Sequence, residues 1–282
     1  MGRDTPPREG EIVTDAPRRT HPWLKTLKLL PTYGWLSLLR TSEFKFNFYS
    51  YIFLYGSQIA FYVFFWQQVS PDPRGGWSAE ACMLLIGFGL ISTSLQELIW
   101  STGMVDQMIL NGDLMVVLVR PENSFFGLVL RRFALMALFP ASMGLALVIW
   151  VISTQDSMSW SGLLPALLTC TLGSVCLRCL LLTINSLGFT FGRVTSLKSV
   201  VFSSKEFARY PMDILGPWAT TFLCSLFPVL LASNWSAQMI FRMEGLEILT
   251  TLALAFAIAV AWFLFTAWFW TRGLRKYEAQ SL

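Results

Sequence analysis

The sequence predicts an all-α integral membrane protein that has six transmembrane helices and an N-terminal amphipathic helix in the membrane interface. Three observations carry this prediction: the composition, the long apolar runs and the distribution of basic residues. Of the 282 residues, 54% are hydrophobic and only 13% are charged, whereas a soluble domain carries about 25% charged residues. Because so few charges cannot cover the surface of a water-soluble protein, we exclude a soluble enzyme, a disordered chain and a secreted disulfide scaffold.

The chain begins with a polar segment, residues 1–21, that is rich in Pro and Arg. It lacks the apolar core of a secretory signal, so we predict a disordered cytoplasmic tail. In residues 22–44, apolar side chains recur at helical spacing with lysines between them, and Pro31 interrupts the pattern. Neither half is long enough to span, and a basic amphipathic segment with Trp anchors is typical of a helix in the membrane interface.

Six apolar runs follow that are long enough to cross a bilayer, which takes about 20 residues of helix. We place them at Phe48–Val69, Ala81–Met104, Phe133–Ile152, Leu163–Asn185, Ile214–Ala232 and Ile248–Trp270. Trp residues cluster near both sets of ends, as in the aromatic belts of membrane proteins. The six-span domain, including the interfacial helix, is therefore predicted to extend over residues 22–282.

The basic residues orient these spans. With the N-terminus inside, 18 of the 21 Lys and Arg residues lie on cytoplasmic segments, and only Arg74 and Arg242 lie outside. Positively charged loops stay on the cytoplasmic side of a membrane. Both termini are therefore predicted to be cytoplasmic.

The inner connection between the second and third spans, residues 105–132, is predicted to be structured. Apolar residues at helical spacing begin at Val105, and Asn111-Gly112-Asp113 is typical of a turn. An apolar run then leads to Arg120-Pro121. We interpret this connection as a short helix beneath the membrane, followed by a turn and a second short element.

The chain offers little chemistry of its own. The sequences GxxxxGK[ST], HExxH and GxSxG are absent, and the single histidine, His21, lies in the polar tail. Cys176 and Cys179 form a CxxC pair, but no second pair or nearby histidine completes a zinc site. We therefore expect no catalytic residue, no metal site and no nucleotide site in this chain.

Two charged residues fall inside predicted spans, Glu97 in the second and Arg178 in the fourth. Charges at membrane depth are costly and mark functional or pairing sites. A Glu97–Arg178 pair between neighbouring helices is one interpretation. The other is that each side chain extends to the inner interface, which long side chains do readily.

Three stretches with a fixed order stand out along the chain. They are FKFNFY leading into Gly56, GDL to LVRP over residues 112–121, and FGR to EFARYP over residues 191–211. In this order they resemble the type-2 ABC exporter permeases, in particular the bacterial subgroup in which two permease chains accompany one ATPase. The stretches cover most of the chain, and residues 1–21 lie outside them.

The resemblance implies a permease subunit of an ATP-driven exporter in the bacterial cytoplasmic (inner) membrane, with half of a substrate pathway in each chain. It implies ABC ATPase subunits that bind ATP and Mg, a second permease chain (a sister permease or another copy) and no nucleic acid. It also makes residues 105–132 the coupling loop that docks on the ATPase, with its polar face on Asp106, Gln107, Asn111 and Asp113. The implied coupling residues are Val105, Asp106, Gln107, Asn111, Gly112, Asp113, Leu114, Arg120 and Pro121.

Other functions stay open from the residues alone. An ATP-independent carrier or channel is one, although such carriers usually have several intramembrane ionisable residues and internal repeats. A membrane enzyme and a non-transporting ABC subunit for regulation or mechanical work are others. The polar and apolar residues of the spans are compatible with a lipid, a peptide, a drug or the end of a polysaccharide as substrate.

Overall fold

The computed structural model describes residues 45–69, 76–98, 105–112, 135–212 and 230–280, with isolated positions 216, 218 and 228. Every regular element within these ranges is helical. The predicted tail, the predicted interfacial helix at residues 22–44 and most of the predicted fifth span lie outside the described residues.

The helices are numbered here in chain order. They are α1 Lys45–Gln68, α2 Ala79–Leu98, α3 Val105–Leu110, α4 Leu138–Thr154, α5 Leu163–Ser186, α6 Gly188–Phe191, α7 Thr195–Ser204, α8 Ser236–Phe241 and α9 Leu246–Gln280. Short 3-10 turns precede α4 and α5, at Leu135–Ala137 and Trp160–Gly162. A 3-10 segment, Lys205–Arg209, follows α7, and a π-helical segment, Leu231–Trp235, leads into α8.

Three of the described helical stretches are long and apolar enough to cross a membrane: Ala79–Leu98, Trp160–Phe191 and Leu246–Arg275. The third predicted span corresponds to α4, which is apolar but has 17 residues. The first corresponds to α1, whose 24 residues include several Gln, Ser and Asn side chains that reduce its hydropathy. The all-helical membrane fold is thus confirmed, while six spans and cytoplasmic termini stay predictions.

The last helix is longer than the predicted sixth span. That span is predicted at Ile248–Trp270, whereas α9 extends from Leu246 to Gln280. Charged residues disfavour the bilayer interior, but Arg, Lys, Glu, Leu and Ala are all good helix formers. The helix therefore extends past its apolar part without a break.

Helix α2 forms the centre of the bundle. It packs against α1, α4, α5 and the π-helical segment, and 72% of its apolar window is buried. The closest crossing is with α4, where the Cβ of an alanine at Gly144 would lie 2.6 Å from the Gly87 carbonyl oxygen. Small residues allow helices to approach this closely in membranes. This crossing supports the main apolar core, which contains Leu84, Phe88 and Val148.

Helix α5 joins the core to α9. The hydroxyl oxygens of Thr183 and Thr266 lie 3.0 Å apart, and the Thr266 hydroxyl donates to the Cys179 carbonyl at 3.1 Å. Cys176 and Cys179 of the CxxC pair are buried free thiols in this helix. Polar side chains at this contact thus bond from helix to helix, which compensates for their burial.

Candidate coupling site

The six residues of α3 pack one face against one end of the bundle. Val105 and Ile109 are buried in an apolar cluster with Leu182 of α5, Phe189 of α6 and Trp270 of α9. The rings of Phe189 and Trp270 meet edge to face, with their centroids 5.4 Å apart. So short a helix is not stable in isolation, so these contacts determine where α3 lies.

The opposite face of α3 is exposed. Gln107, Leu110, Asn111 and Gly112 are all accessible, and Leu110 retains 46% of its maximal exposure. Gly112 has a φ of 78° and ends the helix in the left-handed conformation, which glycine adopts without strain. The amide of Asn111 donates to the Gln107 carbonyl at 2.9 Å. A turn at Asn111 and Gly112 therefore follows a helix with one exposed face, and Asp113 of the predicted turn lies outside the described residues.

The predicted polar face of this helix needs one correction. Gln107 and Asn111 are exposed as expected, but Asp106 is only 2% exposed, and its Oδ1 accepts a hydrogen bond from Lys198 Nζ at 2.7 Å. Asp106 faces inward because it lies three positions before Ile109, on the helix face that packs against the bundle. Its carboxylate is therefore not presented to a partner.

Leu110 adds an apolar side chain to the exposed face of α3 and is not among the predicted coupling residues. It lies three positions after Gln107, so the two share a helix face, and this spacing was the available signal. The remaining predicted coupling residues, Asp113, Leu114, Arg120 and Pro121, lie outside the described residues.

The two predicted intramembrane charges approach the same region of the bundle. Glu97 of α2 and Arg178 of α5 lie within electrostatic reach of each other and of Lys205, which follows α7. Burial and the charge of Arg178 lower the pKa of Lys205 to about 8, against the opposing attraction of Glu97. A direct Glu97–Arg178 ion pair stays a prediction, but the structure adds Lys205 as a third charge.

The segment after α7 is held by two further polar contacts. Arg209 donates from its Nη1 to the Tyr62 hydroxyl of α1 at 2.8 Å and also contacts Glu206. The Asn234 side chain of the π-helical segment accepts from the Met212 amide at 3.0 Å. Residues 195–212 therefore contact α3 through Lys198, α1 through Arg209 and the π-helical segment through Met212.

Chemistry beyond these contacts is sparse in the part of the chain that the structure describes. There, no group of three or more His, Cys, Asp and Glu side chains could hold a metal ion. The region contains a short helix with a packed face, an exposed face and a buried ion pair to residues 195–212.

Residues 51–281 match the family model of the ABC-2 family transporter proteins. This match covers most of the chain, including α3 and every helix that follows it. The chain belongs to the ABC-2 transporter family. The resemblance to type-2 ABC permeases that the motif order indicates is thereby confirmed.

Comparison with curated proteins and with solved structures gives no match. Membership of the ABC-2 family makes this chain an ABC transporter membrane protein, and the family implies association with an ABC ATPase and with the membrane.

Proposed function

We propose that this chain is the permease subunit of an ATP-driven exporter in the bacterial inner membrane. In this proposal each chain forms half of a substrate pathway, and a second permease chain, a sister protein or another copy, completes it. ATP and Mg are bound by separate ATPase subunits, because the chain lacks a phosphate-binding loop of its own. The chain is thus not an enzyme but the part that moves when its partner hydrolyses ATP.

The observation that carries this proposal is that α3, in a chain of the ABC-2 family, has one buried face and one exposed face. One face of α3 rests on α5, α6 and α9 through Val105 and Ile109. The other presents Gln107, Leu110 and Asn111 to the surroundings. A helix with this arrangement can receive a push on its exposed face and pass it to three helices of the bundle.

The mechanism that follows is a two-state one. Closure of the ATPase subunits on ATP displaces α3, and the packed contacts pass that displacement to α5 and α9. Interfaces of packed side chains switch between discrete arrangements and do not deform continuously. The two permease chains therefore switch together between two arrangements. A substrate that binds more tightly to one arrangement is released when the chains adopt the other.

The test is a substitution on the exposed face of α3. Leu110→Glu places a charge where we expect an apolar contact with the ATPase, so the ATPase subunit no longer co-purifies with the tagged chain from native membranes. Leu246→Glu is the matched control, because Leu246 is an exposed leucine at the first position of α9. Retention of the ATPase by Leu110→Glu, with normal amounts of permease, would contradict the proposal.

The same purified complex separates the alternative functions. An exporter subunit brings vanadate-sensitive ATP hydrolysis with it, whereas an ATP-independent carrier or channel brings none. Compounds that stimulate the hydrolysis identify the substrate class, and hydrolysis that no transported compound stimulates favours a regulatory or mechanical subunit.

A further inference from the structure

A buried ion pair joins α3 to the next cytoplasmic segment of the chain. Asp106 Oδ1 and Lys198 Nζ lie 2.7 Å apart, and the two side chains keep only 2% and 11% of their exposure. The residues are 92 positions apart in sequence and belong to α3 and α7. The pair is therefore a tertiary link between two connections that are separated by two predicted spans.

A buried ion pair restrains the relative positions of the two segments that it joins. Apolar contacts, such as those of Val105 and Ile109, hold α3 on the bundle but tolerate sliding and rotation. A buried charge is costly unless its partner stays in place, so it penalises any movement that separates Asp106 from Lys198. Net stabilisation by a buried pair is small, because desolvation offsets the attraction. Its main consequence here is the position of α3 relative to α7.

The contacts of α7 extend this link into the bundle. The chain runs from Lys198 through the Lys205–Arg209 segment, where Arg209 donates to Tyr62 of α1. It then reaches Met212, whose amide donates to Asn234 in the π-helical segment. A displacement of α3 that carries Lys198 with it is thus passed to α1 and to the segment before α8.

We propose that Lys198 is the positioning residue of the coupling helix, and that its pair with Asp106 makes α3 and residues 195–212 move as one body. Asp106 acts through Lys198 and not by contact with the ATPase. This inference rests on the proposed function, since it assumes that the exposed face of α3 meets an ATPase.

The first experiment separates the pair from simple stability. Asp106→Leu combined with Lys198→Met removes both charges of the pair and is expected to keep the thermal midpoint near that of the wild type. In the purified complex in nanodiscs we expect kcat for ATP hydrolysis to fall about fivefold, with KM for ATP unchanged because the partner binds ATP. Wild-type turnover in this double variant would overturn the proposal.

The second experiment restores the position of α3 without the charges. A Cβ at Gly188 would lie 3.6 Å from the Asp106 Cβ, within the range of about 3.5–4.5 Å that a disulfide requires. In a background that carries Lys198→Met and has the five native cysteines replaced by alanine, Asp106→Cys with Gly188→Cys is expected to regain turnover on oxidation and lose it on reduction. Asp106→Cys alone, the control, stays low in both states. Failure of the oxidised double variant to regain turnover would contradict the claim that turnover depends on the position of α3.

The two proposals fail in distinguishable ways. Retention of the ATPase by Leu110→Glu contradicts the proposed function. Loss of the ATPase with Leu110→Glu, together with normal turnover in the charge-free double variant, contradicts only the positioning role. Loss of ATPase binding in Asp106→Asn, with normal binding in Lys198→Met, would show that Asp106 contacts the ATPase directly. This result would also contradict only the positioning role.

Discussion

At the scale of single residues, buried polar side chains hold segments together that are distant in sequence. Asn234 lies in the π-helical segment and is fully buried. Its Oδ1 accepts from the Met212 amide at 3.0 Å and its Nδ2 donates to the Tyr210 carbonyl at 3.4 Å. A π-helical turn displaces side chains from their usual α-helical register, and here it presents Asn234 to Tyr210 and Met212.

Asn234→Ala is therefore expected to destabilise the protein. The substitution removes the hydrogen bonds of this buried side chain with Met212 and Tyr210, each worth about 0.5–1.5 kcal/mol. The thermal midpoint of the purified protein in detergent measures the loss. Asn111→Ala is the control, since Asn111 is exposed and surface substitutions usually change stability by less than about 0.5 kcal/mol. Equal midpoints for the two variants would show that the Asn234 contacts contribute no stability.

Lys205 makes stability depend on pH. Its pKa is lowered from 10.5 to about 8, mainly by burial. Between these two values the unfolded chain binds a proton at Lys205 that the folded chain does not, so stability rises with pH across this window and the gain is absent below pH 8. Thermal midpoints of the wild type and of Lys205→Arg, which stays charged, measure the difference. We expect the thermal midpoint of the wild type to rise relative to that of the variant between about pH 8 and 10.5. Parallel curves of thermal midpoint against pH would contradict the shifted pKa of Lys205.

At the scale of elements, close approach between helices determines how the bundle is packed. The crossing of α2 and α4 at Gly87 and Gly144 is the clearest case. An alanine Cβ at Gly87 would lie 2.6 Å from a Val148 methyl group and 3.0 Å from the Gly144 carbonyl oxygen. Gly89, two positions later in α2, has no atom within 4 Å of such a Cβ. The helix crossing therefore requires a glycine at position 87 but not at position 89.

This contrast predicts opposite effects of the same substitution. Gly87→Ala forces the two helices apart and is expected to lower the free energy of unfolding by about 1–3 kcal/mol, the usual effect of overpacking. Gly89→Ala meets no neighbour and is expected to be neutral or to add about 0.5–1 kcal/mol, because alanine favours the helix. Thermal midpoints in detergent compare the two. A loss of the same size in Gly89→Ala would mean that the crossing is not what requires glycine at position 87.

At the scale of the whole molecule, the candidate membrane-spanning helices differ widely in how much of their apolar part is buried. In α2, 72% of the apolar window is buried, whereas in α9 the figure is 11%. Large apolar side chains of α9, such as Phe256, Leu264 and Trp268, project away from the chain. Helix α2 is therefore the core of the fold, and α9 presents an apolar surface of the kind that lipid or another membrane chain covers.

The orientation of the whole chain is testable with single cysteines. In a background without the native cysteines, Gln107→Cys is expected to lie in the cytoplasm and Asp156→Cys outside, because the basic residues place the N-terminus inside. Both positions are exposed. A membrane-impermeant maleimide should label Asp156→Cys in intact cells and Gln107→Cys only after permeabilisation. The reverse pattern would invert the predicted topology.

Much of the coupling site could be predicted from local patterns. The helix that begins at Val105 and the turn at Gly112 follow from the spacing of apolar residues and from a glycine that tolerates a positive φ. The inward direction of Asp106 could not be predicted, because it depends on Lys198, 92 residues later. The same holds for Lys205, whose place beside Glu97 and Arg178 results from the packing of three separate segments.

The sequence by itself determined that this chain belongs in a membrane, that it is helical and that its motif order is that of the ABC-2 family. These properties depend on composition, on apolar runs and on short motifs, all of which are local. Only the tertiary structure decided which face of α3 is exposed, which glycine lies at a helix crossing and which basic residue pairs with Asp106. Each of these depends on contacts between residues far apart in sequence, and such contacts form only when the helices pack.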